Sequence, residues 1–147
     1  MAGKSGSGYN LTHIAVFLLF VLCVLLIIKR QRSYYSDKHP ILDELRRRIT
    51  LLDPELAKVP LKIGDSAYTE NKETITLCLQ NPTTGKFYDM NTLMYVLLHE
   101  LAHVKSTTIG HKGEFPKRFA DLLSKAARIG IYDPRLPVAS SYCGTQS

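Results

Sequence analysis

Between Lys4 and Lys29 the chain has no aspartate, glutamate, lysine or arginine, and Ile14 to Ile28 is an unbroken apolar run. That absence of charge excludes an ordinary soluble protein. Acid is missing from the whole of residues 1–32, so Lys4, Lys29, Arg30 and Arg32 supply four of the +6 net charges. Residues 33–147 hold 15 basic and 13 acidic groups, too even a balance for a phosphate-tracking surface, and no nucleic-acid partner is expected. Cysteine is scarce and odd in number. With Cys23 inside the apolar run, Cys78 and Cys143 are the one pair able to bond, which excludes a secreted disulfide framework and suits a reducing compartment. No internal repeat or low-complexity segment is present. What remains is 45% hydrophobic and 22% charged, a composition that excludes general disorder.

A bilayer core of about 30 Å needs roughly 20 helical residues, and Tyr9 to Ile28 supplies them. The chain then reads as a polar tail (1–8), a transmembrane helix (9–28), a basic juxtamembrane linker (29–39) and a domain (40–147). Lys-Arg-Gln-Arg follows the apolar run where a signal peptide would show small residues, so the segment is expected to stay as an anchor. Ala2 stands where myristoylation needs glycine. Lys29, Arg30, Arg32 and Lys38 crowd the C-terminal flank, which by the positive-inside rule places residues 1–8 outside and the domain in the cytosol. The Asn10-Leu11-Thr12 sequon then lies outside, too close to the bilayer for modification to be expected.

Within the domain, Pro40 opens a helix whose Ile41, Leu45, Ile49 and Leu52 recur at helical spacing, and Asp53-Pro54 ends it. Leu61 to Ile63 and Ala67 to Thr69 are strand-like. Thr74 to Leu79 alternates polar with apolar as a half-buried strand does, with a hairpin connection at Glu70 to Glu73. Asn91 is the expected N-cap of a helix from Thr92 to Lys105 that is apolar nearly all round and so central. A second helix runs from Pro116 to Ile129, closed by Gly130. The remaining tail, with two prolines, reads as irregular and packed by Ile131, Tyr132, Leu136 and Tyr142.

The central helix carries His99-Glu100-Leu101-Ala102-His103, an H-E-x-x-H motif. Residues four apart lie about 40° apart around a helix, so both imidazoles face one point, a pair suited to Zn2+. Glu100 stands beside them, where a carboxylate can take a proton from metal-activated water. It is also the only charged residue between Met90 and Val104, and burying it unpaired costs on the order of several kcal/mol. A catalytic zinc keeps three protein ligands. Candidates for the third are His111, Glu114 and Asp121. His111 is favoured, since seven residues after His103 and the nearby Gly110 and Gly113 allow the chain to turn back. Tyr132, Tyr142 and Arg135 are candidates for stabilising an oxyanion, and Cys143 for an inhibitory tail ligand.

HELAHVKSTTIGHKGEF resembles the core of the SprT and WLM zinc-peptidase families, matching at His99, Glu100, His103, Gly110, His111 and Phe115. The chain also looks like the short single-domain zincin-like proteins of large DNA viruses. The resemblance implies an α+β zincin-like metallopeptidase domain: an active-site helix packed on a short sheet, here behind one transmembrane helix. It implies zinc on His99, His103 and His111, Glu100 as general base, and a protein or peptide substrate, at a viral or host internal membrane. A histidine third ligand departs from the thermolysin-like class, and the spacing from His103 to His111 departs from the metzincins. No DNA-binding zinc module, ubiquitin- or SUMO-interaction segment or clamp motif accompanies the core, so the families' action on DNA–protein crosslinks does not transfer. A zincin-like structural or adaptor protein that keeps the metal site without cleaving anything is the alternative.

Overall fold

The computed structural model describes residues 11–36, 38–143 and 145–146, with side chains over 12–29 and 38–143. These divide at Tyr35–Ser36 into two compact units. The described part of the first belongs to one helix, α1 (Leu11–Ser36), which runs one residue past the division and whose Thr12–Lys29 stretch is long and apolar enough to cross a membrane. The expected linker at 29–39 is therefore helical as far as Ser36: Lys, Arg and Gln are good helix formers, and no glycine or proline interrupts them before Pro40. Residues 1–10, including Tyr9 and the sequon's Asn10, lie outside the described residues.

The second unit has an α+β architecture, with three further helices around a three-stranded sheet. Helix α2 (Pro40–Leu52) is capped by His39, whose Nδ1 accepts the Ile41 N–H at 3.2 Å, and it buries Leu42, Leu45 and Ile49. Its arginines stay outside the core: Arg47 and Arg48 both bind Glu44, at 2.8 and 2.7 Å. Strands β1 (Leu61–Ile63), β2 (Tyr68–Glu70) and β3 (Thr74–Leu77) are ordered β1-β3-β2. β1 runs parallel to β3 with Lys62 opposite Thr76, and β2 antiparallel with Thr69 opposite Ile75. The central strand β3 is enclosed on both faces rather than half-buried. Ile75 and Leu77 are fully enclosed and Thr76 is only 5% exposed.

Helix α3 (Met90–Lys105) packs on the sheet and against α4 (Phe115–Arg128). Its cap is Asp89 rather than Asn91. The Asp89 carboxylate accepts the Thr92 N–H at 2.9 Å and the Thr92 hydroxyl at 2.7 Å. Asn91 instead holds the Asp133 backbone, donating to its carbonyl (3.1 Å) and accepting its N–H (2.8 Å). Gly130, at φ +76°, ends α4 in the left-handed region that favours glycine. In the tail Ile131 and Tyr142 are buried, whereas Leu136 is exposed, contrary to expectation. Ser141–Tyr142 (β4) pairs antiparallel with Thr145–Gln146 (β5). Cys78 and Cys143 are disulfide-bonded, which pins this tail beside the end of β3. Tyr142 reinforces the bond by donating its hydroxyl to the Cys78 carbonyl.

Gly64, just after β1, sets how closely the chain can approach β3. A Cβ there would lie 2.5 Å from the Thr76 methyl carbon, inside any tolerable contact. Gly64→Ala is expected to destabilise the domain by about 1–3 kcal/mol through overpacking. Adding Thr76→Ser, which removes that methyl, should recover much of the loss in thermal melts. No recovery would place the strain elsewhere.

Candidate metal centre

Helix α3 presents His99 and His103 on one face, and the loop from Ser106 to Glu114 returns His111 to them. The three Nε2 atoms form a triangle with sides of 2.9, 3.3 and 3.2 Å. Ligands at 2.0–2.1 Å in tetrahedral array stand about 3.3–3.4 Å apart, so the triangle matches a zinc-sized cation to within a few tenths of an ångström. Hydrogen bonding alone does not satisfy it, because a neutral imidazole carries one N–H and three nitrogens converge here. Burial, then the neighbouring His103 and His111, pull the His99 pKa down to about 4, which keeps its ring in the neutral form a metal needs. Burial likewise lowers that of His103.

The other sequence candidates are occupied elsewhere. Glu114 accepts the Thr107 N–H and hydroxyl and binds Arg118 at 3.2 Å, and Asp121 lies 3.7 Å from Lys117. Arg135 is paired with Asp133 at 2.8 Å. Tyr132 packs on Tyr95 with ring centroids 6.1 Å apart, and Cys143 is consumed by the disulfide. Of the oxyanion candidates only Tyr142 lines the cleft, and its hydroxyl is committed to the Cys78 carbonyl.

Phe115 forms a floor common to all three histidines, with its ring centroid 4.9, 4.3 and 4.8 Å from those of His99, His103 and His111. The returning loop is shaped by Gly110 and Gly113 on either side of His111, at φ +78° and +66°. Glu114 closes it from within. The Thr107 and Arg118 hydrogen bonds hold the Glu114 pKa near 2, so this closure persists through the neutral range.

Two residues at the site were not recognised from sequence. Thr69, on β2, sits 2.7 Å by its hydroxyl from the Glu100 carboxylate, which is only 6% exposed. Burial raises the Glu100 pKa, and the Thr69 donor opposes that rise. Lys72 occupies the tip of the β2–β3 hairpin, where Asn71 and Lys72 have φ of 51° and 60° and Glu73 N–H bonds Glu70 C=O at 3.0 Å. This is the type I′ pattern, which normally places glycine at the second position. The unusual lysine has a purpose: its ammonium donates to the carbonyls of Ser106 (2.5 Å) and Thr107 (2.8 Å), just past the end of α3. It thus ties the hairpin to the loop that carries His111. The only sequence signal was a polar four-residue connection, which says nothing about a contact 34 residues away.

An open cleft of about 740 Å³ contains the three histidines and Glu100, with Ala67, Tyr68 and Thr69 along one side. β2 is an edge strand, since its outer side pairs with no strand among the described residues.

Three viral proteins are similar in sequence. Uncharacterized protein 136R of Invertebrate iridescent virus 6 is 38% identical over 90 residues, 60% of this chain and 51% of the relative. Uncharacterized protein 042R of Invertebrate iridescent virus 3 is 47% identical over 77 residues, 52% of this chain and 48% of the relative. Uncharacterized protein R325 of Acanthamoeba polyphaga mimivirus is 32% identical over 124 residues, 80% of this chain and 60% of the relative. The aligned segments span about half the length of the two iridescent-virus relatives. No protein-family model and no solved structure matches.

Alanine at His99, His103 or His111 should each abolish tight zinc binding by the full-length chain, measured against a competing chelator, whereas Asp121→Ala should not. Lys72→Met should weaken zinc binding about 10–100-fold by freeing the loop, with helical content unchanged. Wild-type zinc affinity in Lys72→Met would show that the hairpin does not support the site.

Proposed function

We propose that the chain is a zinc-dependent metallopeptidase of the zincin type, with its catalytic domain attached to a membrane by α1. The observation that carries this reading is a buried carboxylate, Glu100, adjacent to three imidazole nitrogens spaced for one metal ion. A site that served only folding would have no need of such a base.

His99, His103 and His111 would hold the metal. Zinc in that position supplies Lewis acidity, acidifying water toward neutrality and polarising a carbonyl. Glu100 then acts as general base: its carboxylate accepts the proton released as water attacks the peptide carbonyl, and it can pass that proton to the departing amine. Thr69, by donating to one Glu100 oxygen, orients the carboxylate and favours its ionised form against the burial that opposes it. The free edge of β2 offers backbone N–H and C=O groups along the cleft, so an extended peptide can add as a further strand and bring one carbonyl to the centre.

Glu100→Gln is expected to lower kcat/KM for peptide hydrolysis by about 10²–10⁴-fold, with zinc content unchanged, in the full-length chain in detergent. Zinc-loaded wild type that cleaves nothing would favour the structural or adaptor alternative.

The basic flank Lys29, Arg30, Arg32 and Lys38 assigns the domain to the cytosolic side. The Cys78–Cys143 disulfide favours the opposite side, because such bonds persist in oxidising compartments. An epitope after Ser147 should be digested by added protease in sealed microsomes. Protection of the epitope would reverse the orientation and reconcile it with the disulfide.

A further inference from the structure

The walls of the cleft carry information about what enters it. Of the Asp, Glu, Lys and Arg residues described, only Lys72 and Glu100 line it. The Lys72 ammonium is spent on the carbonyls of the His111 loop, and the Glu100 carboxylate is held by Thr69. The carboxylate oxygen that Thr69 does not bind is the one that takes the proton from water in the proposed mechanism. With the ammonium committed within the fold, neither group is available to pair with a charged side chain of a ligand. A charged side chain entering the cleft would therefore lose hydration without gaining a partner.

The apolar lining is placed where a side chain near the scissile bond would fall. Tyr95 and Val96 precede His99 and Glu100 by four residues each, so they stand one helical turn, about 5.4 Å along the axis, from those two residues and line the same cleft. An extended chain advances about 3.3 Å per residue, which puts this surface one to two residues from the bond. The Tyr95 ring is fixed against Phe119, edge-on with centroids 5.3 Å apart, and forms a rigid wall. Across the cleft Ile109, on the loop bearing His111, is 93% exposed, more than any other large apolar residue described. Nothing among the described residues covers this isoleucine at the mouth of the site.

We infer that the cleft selects an extended peptide segment with a bulky apolar side chain within two residues of the scissile bond, received by Tyr95, Val96 and Ile109. This inference rests on the peptidase reading and adds the class of substrate to it.

Two measurements on the full-length chain in detergent test it. The first profiles cleavage of a diverse synthetic peptide mixture by the zinc-loaded protein. The second measures, by fluorescence anisotropy, binding of labelled peptides to Glu100→Gln. Cleaved bonds should have Leu, Ile, Phe or Tyr within two residues. A Leu-containing peptide should also bind Glu100→Gln at least about tenfold more tightly than its Ser counterpart, the discrimination that apolar pockets give. Ile109→Asp and the near-isosteric Val96→Thr should each erode that preference with zinc content unchanged. Hydrolysis with no apolar preference, or with a preference for charged residues, would overturn the inference and leave the peptidase reading standing. Selective binding of apolar peptides with no hydrolysis by wild type would overturn the peptidase reading while leaving the preference of the cleft intact.

Discussion

Three imidazole nitrogens within 3.3 Å of one another do not gather by their own attraction. Their lone pairs repel, and their N–H groups cannot all find acceptors there. The surrounding structure is arranged to hold them from outside. Helix α3 fixes two of them by sinking Leu93, Met94, Leu97, Leu98 and Leu101 into the core, so that its one remaining face is the one with the histidines. The third arrives on a loop secured at three points: Lys72 on its carbonyls, Glu114 across its base, and Phe115 beneath all three rings. A cation at the centre, as proposed, would relieve the repulsion.

The same packing gives Glu100 its character. A carboxylate only 6% exposed would cost on the order of several kcal/mol with nothing opposite it. Here it accepts the Thr69 hydroxyl and lines the same cleft as the converging histidines. Thr69 belongs to β2, the edge along which an extended chain can add. The Thr69 hydroxyl reaches both the carboxylate and the backbone carbonyl of Glu100. In the proposed function it would therefore join the base to the substrate-binding edge, and a peptide that shifted β2 would shift the base with it.

The local parts of this arrangement were legible in the sequence. H-E-x-x-H fixes the relation of His99, Glu100 and His103 because helical geometry leaves no freedom, and two glycines around His111 signal a turn. The hairpin at Glu70 to Glu73 and the end of α2 at Asp53 were readable for the same reason. Features decided by distant contacts were not. Asp89 rather than Asn91 caps α3, and what draws Asn91 away is the backbone of Asp133, 42 residues on. Alternation suggested one exposed face for β3, but the Thr76 and Cys78 side is also enclosed, with the chain at Gly64 lying against the Thr76 methyl. Lys72 and Thr69 were invisible because their roles exist only once the hairpin has folded against α3.

Whether the three histidines bind zinc as proposed is tested most directly by X-ray absorption at the zinc edge on the full-length chain. The expected spectrum shows one zinc per chain with three imidazole nitrogens and one further light atom at about 2.0–2.1 Å. A chain that retains no zinc, or a spectrum with a thiolate scatterer at about 2.3 Å, would contradict the assignment.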